Sequence, residues 1–273
     1  MEDLKDIKPN QSIQLLKSLH ILTRDGRMNQ DSRRKLKQVY HLYQLIEPCL
    51  EKVLGTNSQF TLADHGAGKS YLGFILYDLF LKDKGGALFA IEHRPELIEK
   101  AKVLADTLKF DRMHFFASNI KNSLDDSSLP KKIDMVTALH ACDTATDDAI
   151  LFGLKKEAQY IVLIPCCQAE VSKTLRTDKS DQLKYTLSEL WRHPMHTREF
   201  GSHLTNVLRC LLLEGMGYKV TVTELVGWEH SMKNELIMAE NIHQPKKIAL
   251  DRLAEILKTC HLESLTSRFL PTI

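Results

Sequence analysis

The residues with the clearest chemical potential are Asp64-His65-Gly66-Ala67-Gly68-Lys69-Ser70, which join a short strand, Phe60 to Asp64, to a helix opening at Tyr71. Glycines at such a bend let the backbone approach a ligand that a Cβ would exclude. Spacing separates the cofactor classes that use a loop of this kind. A dinucleotide fingerprint G-x-G-x-x-G requires glycine where Tyr71 stands, and a phosphate loop ending at Gly68-Lys69-Ser70 requires one where Ala63 lies inside the strand. Both fail. What remains is acid-x-Gly-x-Gly followed by an acid, Glu92, at the end of the next strand.

A second constellation lies further on. His140-Ala141-Cys142-Asp143 follows the fourth strand, and Pro165-Cys166-Cys167-Gln168 follows the fifth. Cysteines at strand ends are commonly small packing residues. His140, Cys142, Cys166 and Cys167 are also chemically suitable zinc ligands, but they lack the usual C-x₂₋₄-C spacing, so no metal is expected. Asp143 to Thr146 reads equally as the lead-in to a helix, with Thr144 or Thr146 as N-cap.

Two local basic regions could hold a substrate. Arg24, Arg27, Arg33, Arg34, Lys35 and Lys37 stand against only Asp25 and Asp31. His193, His196, Arg198 and His203 follow the fifth strand, and Lys233-Asn234 falls in the last hairpin. Such groups suit phosphate contacts, and equally a solvated face. Trp191 and Phe200 have the rings to stack on a base, although a core role fits them better.

The elements that must position these residues follow from periodicity. Val39, Leu42, Tyr43, Ile46, Leu50, Val53 and Leu54 form one stripe of an amphipathic helix over Ser32 to Leu54, within a helical segment 1–58. Strands then alternate with helices. Strands are expected at Phe60–Asp64, Ala87–Glu92, His114–Ala117, Ile133–Leu139 and Tyr160–Pro165, with helices at Tyr71–Lys82, from Pro95, after Thr146 and over 204–216. Tyr218–Trp228 and Glu235–Glu240 read as an antiparallel pair, and Ala249, Leu250, Leu253 and Leu257 mark a helical tail. The alternation predicts an α/β fold with a doubly wound sheet, and an open parallel sheet binds ligands beyond the carboxyl ends of its strands. His140, Cys142, Asp143, Cys166, Cys167 and Gln168 all fall there.

Composition narrows the class. The 273 residues carry 37 Lys and Arg against 35 Asp and Glu, so no overall field demands nucleic acid or an anionic membrane. No apolar run of about 18 residues is present, which argues against a membrane-spanning helix. The polar N-terminus does not read as a secretory signal. The six dispersed cysteines fit a reducing, cytoplasmic setting better than a disulfide framework.

The glycine loop with Glu92 resembles the first two motifs of class I S-adenosylmethionine-dependent methyltransferases, with Ser70 in place of the usual third glycine. The His-x-Cys-Asp and Cys-Cys pieces, with Glu229-His230-Ser231-Met232-Lys233-Asn234, resemble one family more specifically. That family includes uncharacterised bacterial proteins, eukaryotic methyltransferase-like proteins and tRNA acceptor-stem 2′-O-methyltransferases. The resemblance spans roughly Asn29 to Glu240. It implies a Rossmann-like, mostly parallel seven-stranded sheet over 59–240, closed by an antiparallel pair and followed by a helical tail over 241–273.

It further implies S-adenosylmethionine as cofactor, leaving as S-adenosylhomocysteine. Asp64, His65, Gly66, Ala67 and Gly68 would line the methionine end, Glu92 would bind the ribose hydroxyls, Ser118 and Asn119 would meet the adenine, and His140 would complete the pocket. His140 and Asp143 are the catalytic candidates, because a ribose hydroxyl needs a base. Cys142, Cys167, Gln168, His196, Arg198, Lys233 and Asn234 are the substrate candidates. RNA, as tRNA or rRNA, is the leading acceptor class. A protein or small-molecule acceptor, a non-catalytic binding protein, and a hydrolase using Lys69-Ser70 with magnesium are the alternatives.

Overall fold

The computed structural model describes residues 5–124, 126–139, 141–166, 168–177, 186–225 and 235–272. Its strands are β1 (Thr61–His65), β2 (Ala87–Glu92), β3 (Met113–Ala117), β4 (Met135–Leu139), β5 (Tyr160–Ile164), β6 (Tyr218–Glu224) and β7 (Glu235–Asn241). They form one sheet in the order β3-β2-β1-β4-β5-β7-β6. The first five run parallel, and β7 lies antiparallel between β5 and β6. The chain winds outward from β1 to β3 and returns to the other side of β1 at β4. The strand order therefore reverses between β1 and β4, and a crevice opens at their carboxyl ends. This is the Rossmann-like architecture, with its antiparallel pair at the far edge.

The helices are α1 (Ile13–Ser18), α2 (Gln30–Thr56), α3 (Tyr71–Leu76), α4 (Lys82–Lys84), α5 (Pro95–Leu108), α6 (Ile120–Ser123), α7 (Thr144–Lys155), α8 (Glu170–Thr177), α9 (Pro194–Gly215), α10 (Lys247–Thr259) and α11 (Thr266–Phe269). Asn29 starts α2, its Oδ1 accepting from the Ser32 N–H at 2.8 Å. The expected stripe, with Ser32 and Leu36 added and Leu54 left only partly buried, is the buried face of that helix. Each such leucine contributes roughly 1.5–3 kcal/mol when fully buried. The helix expected over Tyr71 to Lys82 is interrupted, because a π-helical turn at Tyr77–Leu81 separates α3 from α4.

Two boundaries differ more. The helix expected over 204–216 begins ten residues earlier, with Pro194 in its first turn, where a missing N–H costs nothing. The strand expected to reach Trp228 ends at Glu224, and 226–234 lie outside the described residues.

Apolar side chains cover both faces of the sheet. On one face Leu62, Leu88 and Met135 pack with Leu36, Leu42 and Ile46 of α2 and with Phe74 and Leu76 of α3. On the other, Val136, Ile161 and Ile237 pack with Ile150 and Phe152 of α7, Leu208 of α9, Leu253 of α10 and Phe269 of α11. The helices at both chain ends thus share the cores of the sheet. Arg268 adds polar ties, reaching Glu170 at 3.2 Å and Asp148 at 3.4 Å.

A close helix crossing joins α8 to α9 at Gly201. A Cβ there would stand 2.4 Å from the Ser172 Oγ and 2.9 Å from the Ser172 backbone nitrogen and Cα. Gly201→Ala must push two backbones apart, so an overpacking loss of about 1–3 kcal/mol is expected in urea unfolding. A loss within about 0.5 kcal/mol, the range of an ordinary surface change, would mean that α8 does not lie this close.

Candidate functional site

The loop leaving β1 owes its shape to positive φ at three alternate positions. Gly66 has φ +61°, Gly68 +58° and Ser70 +55°. Serine thus adopts the left-handed conformation of the missing third glycine, at a cost of roughly 1–2 kcal/mol. Its amide donates to the Ala67 carbonyl at 2.6 Å, and the Ala67 amide donates to the Ile91 carbonyl at 3.2 Å, which draws the loop over the end of β2. A Cβ on Gly66 would sit 3.4 Å from the Ala141 Cβ, so the loop also closely approaches the segment after β4. Any bulkier side chain would fill this cradle.

Asp64 and His65, adjacent on one strand, point to opposite faces. Asp64 is buried, accepts from the Thr137 hydroxyl at 2.8 Å and takes the Gly73 N–H, so it caps the start of α3 from inside the core. Burial raises its pKa to about 7, despite those two hydrogen bonds. His65 is fully buried with its ring edge-on to Phe152, centroids 4.3 Å apart, and burial lowers its pKa to about 3. Its side chain is a neutral core group, which removes it from the expected cofactor contacts. Ser70 is 1% exposed and its hydroxyl would lie only 2.5 Å from a Cβ on Gly73. That hydroxyl is not presented to a magnesium ion, so the hydrolase alternative loses its second residue.

Glu92 closes the other side of the loop. It is 2% exposed, and its Oε2 accepts from the Gly68 N–H at 2.8 Å. Arg94 donates through Nε at 2.9 Å, Nη2 at 3.3 Å and its backbone amide at 3.2 Å, and His93 Nδ1 lies 2.9 Å away. Burial alone would raise the pKa of Glu92, but the hydrogen bonds from Arg94 and Gly68 outweigh it and hold the carboxyl below its usual range. Ser118 joins the cluster by donating its amide to the Glu92 carbonyl at 3.0 Å. Asn119 follows, its Oδ1 accepting from the Asn122 N–H at 2.8 Å at the start of α6. The structure therefore brings Gly66, Ala67, Gly68, Glu92, Ser118 and Asn119 to one end of β1, β2 and β3.

The loops after β4 and β5 converge differently from expectation. Asp143 Oδ1 accepts from the Ala169 and Glu170 amides at 2.8 and 3.1 Å, capping α8. This oxygen is committed to structure, which weakens Asp143 as the base. Thr146 does not cap α7 but donates its hydroxyl to the Ala141 carbonyl at 2.5 Å. Cys142 and Cys166 meet with their Sγ atoms 3.4 Å apart. His140 and Cys167 lie outside the described residues, as do Lys233 and Asn234. His196 and Arg198 are exposed on the first turns of α9, with His196 edge-on to His193 and Arg198 paired to Glu199 at 2.9 Å. Trp191 and Phe200 stack on each other at 5.1 Å, with Trp191 in the core.

Sequence reasoning missed the group that ties these loops together. Arg209 of α9 is fully buried and forks onto Asp147, with Nε to Oδ1 at 2.7 Å and Nη2 to Oδ2 at 2.9 Å. Its Nη2 also donates to the Asp143 carbonyl at 2.9 Å, and its Nη1 donates to Asn206 Oδ1 at 3.2 Å. Asn206 in turn accepts from Gln168 at 3.2 Å and donates to Glu235 at 2.8 Å. Gln168 is buried in this network, where Ser202 donates to it at 2.7 Å. A polar residue inside an otherwise apolar helix face was the available signal.

Fold and loop together define a class, a Rossmann-like methyltransferase domain. Its cleft fits S-adenosylmethionine, because positive φ at Gly66 and Gly68 keeps the loop backbone bare and a buried carboxylate, Glu92, stands beside it at the end of the second strand. The chain belongs to the family described as methyltransferase domain, which it matches over residues 34–174. Over 195 residues it is 26% identical to the glutathione S-transferase C-terminal domain-containing proteins of Homo sapiens and Macaca fascicularis, covering 65% of this chain and 29% of theirs. The chain thus spans less than a third of the length of these curated relatives.

Similar solved structures include a putative rRNA methylase from Clostridium thermocellum, with a TM-score of 0.44, 12% identity, and 72% and 96% of the two chains covered. An rRNA methylase from Streptococcus thermophilus has a TM-score of 0.41 and 11% identity over 67% and 87%. Fibrillarin from Aeropyrum pernix, with S-adenosyl-L-methionine natively bound, has a TM-score of 0.40 and 12% identity over 67% and 66%. Among the described residues, no helix is long and apolar enough to cross a membrane.

Two expectations test this electrostatic frame. Arg209→Ala leaves Asp147 buried without its partner, so unfolding in urea should show a loss of about 3–5 kcal/mol. A loss below about 1 kcal/mol would mean that the pair is open to water. Asp64 keeps its proton in the folded state up to about pH 7, whereas its ordinary value is 3.8. The folded state then holds the extra proton, and Asp64 makes stability fall as pH rises from about 4 to about 7. Asp64→Asn should flatten the stability profile over that window, and identical slopes in both proteins would contradict the raised pKa.

Proposed function

We propose that this domain transfers the methyl group of S-adenosylmethionine to RNA, with tRNA or rRNA as acceptor. The observation that carries the methyl-transfer reading is the glycine loop bonded through the Gly68 amide to buried Glu92 and pressed against Ala141. In this reading Gly66, Ala67 and Gly68 receive the methionine end, Glu92 takes the ribose hydroxyls, and Ser118 and Asn119 meet the adenine. When bound, the cofactor supplies an electrophilic methyl group on sulfur. The chain's own task is then alignment, since much of such a barrier can be removed by holding the nucleophile in line.

Alignment falls to the segments after β4 and β5. Asp143 holds α8 and, through its carbonyl, Arg209. We therefore assign the base to His140, the residue that follows the last residue of β4, and give Asp143 a positioning role. Cys142, Cys167 and Gln168 belong to the same two segments. Gln168 acts by fixing its loop. The RNA assignment is supported by the cations at the start of α2, where Arg33, Arg34, Lys35 and Lys37 crowd one and a half turns. Lys233 and Asn234, with His196 and Arg198, are proposed as outlying acceptor contacts.

Titration calorimetry of S-adenosylmethionine against wild type and Glu92→Ala tests the cofactor site. Removing the charged acceptor should weaken affinity by about 1.5–3 kcal/mol. Equal affinities would move the ribose site elsewhere. Incubation with radiolabelled S-adenosylmethionine and total RNA should place label on RNA, and His140→Ala should abolish it while cofactor binding persists. Cofactor binding without label on RNA would overturn the RNA assignment.

A further inference from the structure

A cavity of about 210 Å³ lies between α2 and α3, walled by Val39 and Leu42 of α2, Tyr71 and Ile75 of α3, and Leu139 at the end of β4. Tyr71 is the residue after the glycine loop and Leu139 the residue before the His-x-Cys-Asp segment. The cavity therefore borders both the segment proposed to hold the cofactor and the segment proposed to carry the base. We propose that it receives the flipped-out base of an unpaired RNA nucleotide, which rests on the methyl-transfer reading above.

Size, lining and charge each argue for that occupant. Whole small-molecule ligands use pockets of roughly 300–1,000 Å³, so about 210 Å³ suits one ring system, not a nucleotide or a peptide. Apart from Lys35 and Gln38 of α2, the lining is aliphatic with the Tyr71 ring among it, and unstacked bases are held on such aromatic and apolar surfaces. No carboxylate stands among the described lining residues, so an entering lysine or arginine of a protein acceptor would lose its hydration without a counter-charge.

The cations needed for RNA phosphates stand on the same helix. Lys35 lines the cavity with nearly half of its side chain in water, and its ion pair with Asp31 at 2.8 Å is exposed and hence easily exchanged. Arg34 precedes Gln38, another lining residue, by one helical turn and so lies on the same side of α2. A base inside and its phosphates outside would meet an apolar wall and a basic rim in that order.

The test combines crosslinking with a filled cavity. Total tRNA carrying 4-thiouridine is irradiated with the full-length protein in S-adenosylhomocysteine, and crosslinked peptides are mapped. Crosslinks are expected in the peptides holding Val39–Leu42 or Tyr71. Val39→Trp should fill the cavity and lower both crosslinking and RNA affinity at least about tenfold, with S-adenosylmethionine affinity within about twofold of wild type. Crosslinks confined to other segments, or undiminished RNA affinity in a folded Val39→Trp protein, would overturn the base pocket and leave methyl transfer standing. Cofactor binding with no RNA binding at all would remove the acceptor reading and the pocket with it. If Val39→Trp does not fold, the wild-type crosslink map decides alone.

Discussion

A buried guanidinium holds together the segments after β4 and β5. Arg209 carries its charge where no water can compensate it, so its fork with Asp147 must be complete for the fold to tolerate it. Completing it fixes three things at once. Asp147 anchors α7, the Asp143 carbonyl anchors the turn after β4, and Asn206 relays the arrangement to Gln168 after β5 and Glu235 at the start of β7. The turn at Asp143 needs such help, because φ +51° with ψ −122° is strained for a residue with a Cβ. Replacing this pair by apolar residues need not cost stability. What it would lose is the common reference that four chain segments share.

The cofactor half is built on the opposite economy. There the backbone bends into left-handed conformations at Gly66, Gly68 and Ser70, and only the last has a side chain to strain. Ser70 makes no side-chain cap for α3, and its buried hydroxyl finds no partner among the described residues. Asp64 takes over the capping from beneath, through Gly73. A carboxylate near a helix N-terminus is favoured by the helix dipole, which helps an otherwise unfavourable burial. One residue substitution in the glycine pattern is thus answered by a neighbouring acid that the same pattern already contains.

This division explains what could be read from the sequence. Strand–helix alternation, the glycine loop and the acid at Glu92 were legible because they rest on local features, with short apolar runs for the buried strands and fixed intervals at the bend. The network around Arg209 was not, because its members are scattered from Asp143 to Glu235 and only the fold brings them together. Its trace was present, since Thr205, Asn206 and Arg209 interrupt the buried face of α9 between Leu204 and Leu213. Pro194 marked the true start of that helix by the same rule that located Pro95, yet the polar residues after it were read as a basic region and not as the start of the helix. Asp143 was legible as important but not as a cap, because α8 is 26 residues away. His65 read as part of the loop. Strand alternation alone turns it to the face opposite Asp64, and that signal was there to use.

The state of Glu92 also constrains how the cofactor must enter. Its Oε1 accepts twice from Arg94, with His93 Nδ1 2.9 Å away, and its Oε2 accepts from Gly68 and the remaining Arg94 nitrogen. A carboxylate offers about four lone-pair positions, so no acceptor capacity is left for a ribose. The Gly68 amide belongs to the loop itself and has nowhere to go. The Arg94 side chain is 49% exposed and the His93 side chain 68%, so these two can return to water at little cost. On the proposed reading, binding would be an exchange of donors on a fixed acceptor, with the solvent-facing Arg94 side chain giving way to hydroxyls. Such an exchange would keep the buried Glu92 carboxylate, held below its usual pKa range, from standing unpaired.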